Sequence, residues 1–233
     1  DGVTRYRHDP TQGPACAIAA GAATIYRNYL VLVDGLKGQR ADRQINGLLN
    51  VGDFFSKLLG KPASELWTMR NGYCLASQEG LKAITALLDR LGEPERDEIR
   101  GQLRIGVHQD VQVTDDGAPE NHFVSQAFCS ALPVAYSRFP TNHWRSFARL
   151  VLESAYEATI WAGVCNARRG QSNVVLLTRL GGGAFGNEDS WIHAAMARAL
   201  HLARQRWRAN FSSACPLIAV KDADCAAARI SGG

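Results

Sequence analysis

The clearest periodicity in the chain lies at Leu81, Ile84, Leu87, Leu88 and Leu91, which share one face at helical spacing behind Ser77, a suitable N-cap. The same spacing, over Phe147, Leu150, Val151, Ala155, Ala158 and Ala162, predicts a long helix from a Thr141-Asn142 cap to about Asn166. A third helix is expected over about 189–208, a short one over 53–59, and a buried one over 15–24, where small residues follow Pro14. Alternation of Ile105, Val107, Val111 and Val113 on one side predicts a strand over 103–113, and a polar loop over 115–121 separates it from a second strand over 123–129. The apolar runs 28–33 (NYLVLV, ended by Asp34-Gly35), 173–177 (NVVLL) and 216–220 (PLIAV) read as further strands, the second covered on both faces. Asn71-Gly72 divides residues 66–76 into a hairpin. Helices and strands largely alternate, which predicts a single α/β domain built on a mostly central sheet, with no internal repeat or linker.

Composition adds mainly exclusions. With 46 % apolar and 21 % charged residues over 233 positions, the chain has the make-up of a globular protein with one large core. No apolar run approaches the roughly 20 residues needed to span a bilayer. A net charge of +4 without a dense Lys/Arg stripe gives no nucleic-acid footprint. The four arginines 198, 204, 206 and 208 are expected on a solvated face that complements the helix dipole. Six single cysteines lack the spacing of a zinc site, and Cys16, Cys74, Cys129 and Cys165 fall in apolar stretches; reduced, buried thiols and an intracellular, cytoplasmic setting are expected. The six histidines form no ligand pair, so no metal is expected, and Ser130 lacks a nucleophile-elbow context. Arg27 has two readings, a phosphate contact or a complement to a helix C-terminus.

One segment carries a chemical signal. Strand residues from Val174 lead into Gly181-Gly182-Gly183-Ala184-Phe185-Gly186-Asn187 and then a helix. Such a loop brings backbone N–H groups close to a ligand, and the helix behind it favours an anion. The alternative is a tight turn whose glycines satisfy backbone geometry alone. No Lys-Ser/Thr follows Asn187, which excludes a Walker loop, and the spacing fits G-x-G-x-x-G poorly.

The run VLLTRLGGGAFGN resembles the second ligand loop of macrodomains, particularly that of poly(ADP-ribose) glycohydrolases. DGVTRYRHDPTQGPACAIAAGAATIYRNYL and FCSALPVAYS resemble the MavL-like branch of that family, which removes ADP-ribose from arginine, including an arginine of ubiquitin. The resemblance implies a three-layer α/β/α fold with a mixed central sheet flanked by helices, and a hydrolase of ADP-ribosylated protein. It also implies that Gly182, Gly183, Ala184, Gly186 and Asn187 cradle the diphosphate and that Phe185 supports the ribose. Asp1 and Asp9 would be the catalytic carboxylates, with Thr11, Gln12 and Gly13 lining the pocket. A carboxylate can stabilise an oxocarbenium-like ribose, activate water, or hold a guanidinium bidentately, so no cofactor is expected. Asp9 before Pro10 also suits a simple turn, and Asp1 a plain terminus. The Gln-Glu-Glu that follows Gly-Gly-Gly in the glycohydrolases is replaced here by Ala184-Phe185-Gly186. The chain opens Asp-Gly-Val-Thr without Met or signal peptide, and the resemblance implies an upstream strand and loop before it. Two other functions remain open on the same residues: a non-catalytic ADP-ribose reader, or a structural subunit with a relic site.

Overall fold

The computed structural model describes residues 17–114, 117, 119–210 and 217–220. The chain is mixed α and β, and it divides into two compact units. The first comprises residues 1–45 and 106–128, the second residues 46–105 and 129–233.

In the first unit, Ala17, Ala20, Ala23 and Thr24 are buried, as small residues along a close-packed helix should be. That helix is interrupted at Ala20, whose backbone leaves the helical region; the Thr24 hydroxyl donates to the Ala17 carbonyl across the break (2.7 Å). Helix α1 (Gly21–Ile25) then passes into a π-helical turn, Tyr26–Leu30, which takes up the first three residues of the strand expected over 28–33. Only Leu32–Val33 (β1) is extended, and it pairs with Leu36–Lys37 (β2). Asp34 and Gly35 both take positive φ (49° and 76°), so the dipeptide that was expected to end a strand is a hairpin turn.

Strands β5 (Gly106–Gln112) and β6 (Phe123–Phe128) pair antiparallel, as the two apolar runs predicted. A bulge between His108 and Val111, with Asp110 at φ 52°, adds one residue to β5. It reverses the facing downstream, so Val107 and Val111 lie on opposite sides rather than sharing one.

The second unit holds the contiguous apolar core. Helix α2 (Leu49–Leu59) closes on Gly60, and a turn of helix, α3 (Ala63–Leu66), leads into the hairpin β3 (Trp67–Arg70) and β4 (Tyr73–Ala76). Asn71 and Gly72 both have positive φ, the turn their sequence predicts. Helix α4 (Gln78–Arg90) is capped by Ser77, whose hydroxyl accepts from the Gly80 N–H (2.9 Å); Leu81, Ile84, Leu87 and Leu88 are buried. Helix α5 (Glu93–Arg100), with a proline in its first turn, had no counterpart in the apolar pattern.

Helix α6 (Thr141–Arg168) is the spine of the unit. It starts directly after Pro140, and no side chain caps it, so the expected Thr141-Asn142 cap is absent. Phe147 packs against Trp67 and Phe55. Strand β7 (Val174–Leu177) lies against α6 where a Cβ on Gly163 would meet Val175 Cγ2 at 2.3 Å; only glycine permits that approach. β7 pairs in parallel with β8 (Leu217–Val220) through helix α7 (Asp189–Asn210), which makes a β-α-β crossover. Val175 and Leu177 are buried, whereas Val174 and Leu176 are 48 % and 65 % exposed. The strand is thus covered on one face, not both. Among the described residues the strands form four separate pairs.

Buried polar contacts fix α5, α6 and α7 to one another. Arg100 sends its Nε and Nη2 to Glu153 on α6 (2.9 and 2.8 Å) and its Nη1 to Glu93 and Asp97 (2.8 and 2.6 Å). Burial opposes the charge on Arg100, but the carboxylates of Glu93, Glu153 and Asp97 outweigh it and hold its pKa above the ordinary value. Glu153→Ala should therefore cost toward the lower end of about 3–5 kcal/mol, because Arg100 keeps two of its three carboxylates. Urea denaturation should show this as a lower midpoint with an unchanged slope.

Candidate functional site

The glycine segment begins four residues beyond the carboxyl end of β7, the position at which ligands enter parallel α/β units. Its entry is fixed from below by Tyr156 on α6. The phenol donates to the Thr178 carbonyl and accepts from the Leu180 N–H, both at 2.8 Å. Burial pushes the Tyr156 pKa up, so the phenol remains a donor across the physiological range.

The two ends of the loop are tightly packed. Gly181 has φ +76°, and a Cβ there would lie 2.3 Å from Ala131 Cβ. Gly186 has φ +69°, with a virtual Cβ 2.8 Å from Ala135. Asn187, 5 % exposed, ties both ends together: its Nδ2 donates to the carbonyls of Leu132 (2.8 Å) and Gly181 (3.2 Å), and its backbone N–H donates to Gly181 (3.0 Å). Its Oδ1 is buried and has no partner among the described residues.

The middle of the loop is different. Gly183, Ala184 and Phe185 form a single 3-10 turn closed by the Gly186 N–H on the Gly183 carbonyl. Gly183 has φ +68°, yet nothing lies within 4 Å of where its Cβ would stand. The N–H groups of Gly183 and Ala184 lead this turn and so have no acceptor inside it. Phe185 is half-buried, with its ring edge-to-face against Tyr73 (5.5 Å) and Tyr136 (5.6 Å). Tyr73 and Tyr136 meet in the same manner at 5.5 Å.

The charge around the loop is mixed. Glu188 and Asp189 stand at the start of α7, where carboxylates complement the positive helix end. Arg179, before the loop, pairs with Asp189.

Six of the expected ligand residues, Gly182, Gly183, Ala184, Phe185, Gly186 and Asn187, thus share one continuous loop. Asp1, Asp9, Thr11, Gln12 and Gly13 lie outside the described residues. Arg27 is in the first unit, with its guanidinium 3.9 Å from the centroid of the Phe128 ring. It stands in the last turn of the π-helical segment that ends the first helix, as a complement to that helix end would. Ser130 donates to the Ala131 carbonyl. Cys74 is buried and Cys129 half-buried, and burial pushes both thiols up. Cys165, near the end of α6, is exposed, contrary to the expectation from its apolar neighbours. Arg198 and Arg206 are not simply solvated: Arg198 pairs with Asp97 and Glu157, and Arg206 with Glu157. Among the described residues no three His, Cys, Asp or Glu side chains converge as a metal site, and no helix is long and apolar enough to cross a membrane.

Sequence reasoning missed Tyr156 and the Glu153–Glu157 pair. The second had a readable signal, since two glutamates four residues apart interrupt the apolar stretch of α6. Comparison of the chain with protein-family models, curated proteins and solved structures gives no match.

The geometry separates the glycines by role. Gly181→Ala should destabilise the fold by more than the roughly 1–3 kcal/mol of backbone strain alone, because it also collides with Ala131. Gly183→Ala should cost only the strain, and paired thermal melts measure the difference. Asn187→Ala should lower stability by about 1 kcal/mol through two lost side-chain hydrogen bonds, since the Gly181 and Leu132 carbonyls each keep a backbone donor.

A separate pH effect belongs to the first unit. His108 packs edge-on against Tyr26 and Phe128, and burial, then the charge of Arg27, pushes its pKa below the usual value. The unfolded chain therefore binds more protons below about pH 6.5. Stability is present above that pH and falls as pH drops toward the folded-state pKa. Hydrogen exchange should show β5 and β6 less protected at pH 5.5 than at 7.5, and His108→Gln should flatten the difference.

Proposed function

We propose that the chain is an ADP-ribosyl-protein hydrolase of the macrodomain type, acting on arginine-linked ADP-ribose, and that its strands belong to a three-layer α/β/α arrangement around a mixed central sheet. The observation that carries the reading is the loop between β7 and α7: anchored at both ends and open at Gly183, on a parallel β-α-β unit. Two leading N–H groups and a glycine without a side chain suit close approach by a diphosphate. Phe185, steadied by Tyr73 and Tyr136, would present an apolar edge to the ribose.

Asp9 would stabilise positive charge developing on ribose or activate the attacking water, and Asp1 would grip the guanidinium of the leaving arginine. The N-glycosidic bond then breaks between ribose C1 and the guanidinium nitrogen, with water supplying the hydroxyl to ribose and a proton to the departing group. Thr11, Gln12 and Gly13 would line the same pocket. The modified protein, ubiquitin among the candidates, is the partner.

A reader that binds ADP-ribose without cleaving it is the second reading. It is favoured by the loop itself, whose 181–187 side chains include no acid, base or nucleophile.

Calorimetry should show ADP-ribose binding more tightly than AMP, because both phosphates meet the loop. Gly183→Val should abolish the ligand-induced rise in melting temperature while the unliganded transition survives. Glu188→Gln should strengthen binding about two- to fivefold, since a carboxylate at the helix end opposes a diphosphate. Asp9→Asn should cut release of ADP-ribose from arginine-modified protein by orders of magnitude and leave ADP-ribose affinity within several-fold. Binding without turnover in the wild type selects the reader. Absence of ADP-ribose binding overturns both readings.

A further inference from the structure

A cavity of about 300 Å³ opens between α5, α6 and α7, lined by Asp97, Arg100, Ser154, Glu157, Trp161 and Arg206 among others. We propose that it is a recognition site for the guanidinium of an arginine side chain presented by a partner, held at present by the protein's own Arg206. The Arg206 guanidinium lies over the Trp161 indole, 5.6 Å from the ring centroid, with Nη1 3.6 Å from Glu157 Oε1. Indole face and carboxylate are the two groups that recognise an organic cation.

The other polar groups of the lining are already committed. Arg100 directs its guanidinium to Glu93, Asp97 and Glu153 and has nothing to offer an anion. Ser154 donates to the Leu150 carbonyl (2.8 Å). Glu157 Oε2 is held by Arg198 at 2.9 Å. Asp97 Oδ1 is held by Arg100 and Arg198. Glu157 Oε1 and the indole are the groups that the Arg206 guanidinium approaches, and its 3.6 Å distance to Oε1 is too long for a hydrogen bond.

The charge balance agrees. Four arginines (100, 149, 198 and 206) face four carboxylates (Glu93, Asp97, Glu153 and Glu157). With Arg206 swung out, three arginines face four carboxylates, and one monocation restores neutrality. Arg206, at 57 % side-chain exposure, is the most exposed of the four arginines, and when it swings out Glu157 keeps Arg198 as a partner. The site lies about 25 Å along α7 from the glycine loop, by helical rise from residue 189 to 206, so it does not depend on that loop's function.

The test titrates the full chain with Nα-acetyl-arginine amide and with its neutral isostere Nα-acetyl-citrulline amide. Arg206→Gln should bind the arginine probe about tenfold more tightly than the wild type, through the vacated indole and carboxylate. It should not bind the citrulline probe measurably. Adding Trp161→Leu or Glu157→Gln to Arg206→Gln should remove the gain, with melting curves confirming that each variant is folded. Equal binding of the two probes, or no gain in a folded Arg206→Gln, overturns the proposal and leaves Arg206 a purely structural partner of α6.

Discussion

A buried guanidinium is tolerable only when its donors all find acceptors, and that requirement organises the larger unit. Arg100 ends α5 with its side chain 8 % exposed, and Glu153 from the middle of α6 takes its Nε and Nη2 while Glu93 and Asp97 take Nη1. Glu153 in turn is 7 % exposed and holds Arg149 one turn earlier. Asp97 and Glu157 then receive Arg198 from α7, so three helices are fixed in rotation and register by charge as well as by packing. Apolar side chains alone would leave α6 free to slide against its neighbours by small steps. An ion pair of this burial does not slide, because any offset strands a charge.

The glycine loop depends on that fixed α6. Tyr156 is one turn from Glu153 on the same helix, and its phenol positions the chain where β7 becomes the loop. Asn187 then fixes the far end from the Leu132 carbonyl. Between the two pins the backbone is held in left-handed geometry at Gly181, Gly183 and Gly186. At Gly181 and Gly186 neighbours forbid a side chain outright. At Gly183 no neighbour does, so packing gives no reason for its lack of a side chain. The positive φ at Gly183 is what favours glycine there.

Local signals in the sequence were reliable where the physics is local. Asn71-Gly72 forced its hairpin, Ser77 capped its helix, and the leucine face of α4 is buried as its spacing required. Only the Leu32-Val33 end of the run NYLVLV became strand, because the preceding helix continues through Tyr26–Leu30 as a π turn and overrides local β propensity. The bulge at Asp110 was invisible because alternation reads the same on either side of one inserted residue. Asp97, Arg100, Glu153 and Glu157 looked like ordinary surface charges in a linear pattern. Their pairing across α5 and α6 exists only in three dimensions. Of the site, the loop was legible as a motif, whereas the division of labour among its glycines required the neighbours contributed by residues 131–135.

The distribution of apolar burial completes the physical picture. The contiguous core, with Phe55, Trp67, Trp144, Phe147 and Ile192, belongs wholly to the second unit. In the first unit the buried apolar residues described are Ala17, Ala20, Ala23 and Val33, while Tyr26, Tyr29, Leu30, Leu32 and Leu36 are exposed. Burial free energy scales with apolar area, so the first unit draws little from it and relies on local devices: the Asp34-Gly35 turn, the Thr24 hydrogen bond, and Arg27 on Phe128. Local devices of this kind break at low free-energy cost. In the second unit the core and the ion pairs supply the rigidity on which the glycine loop rests.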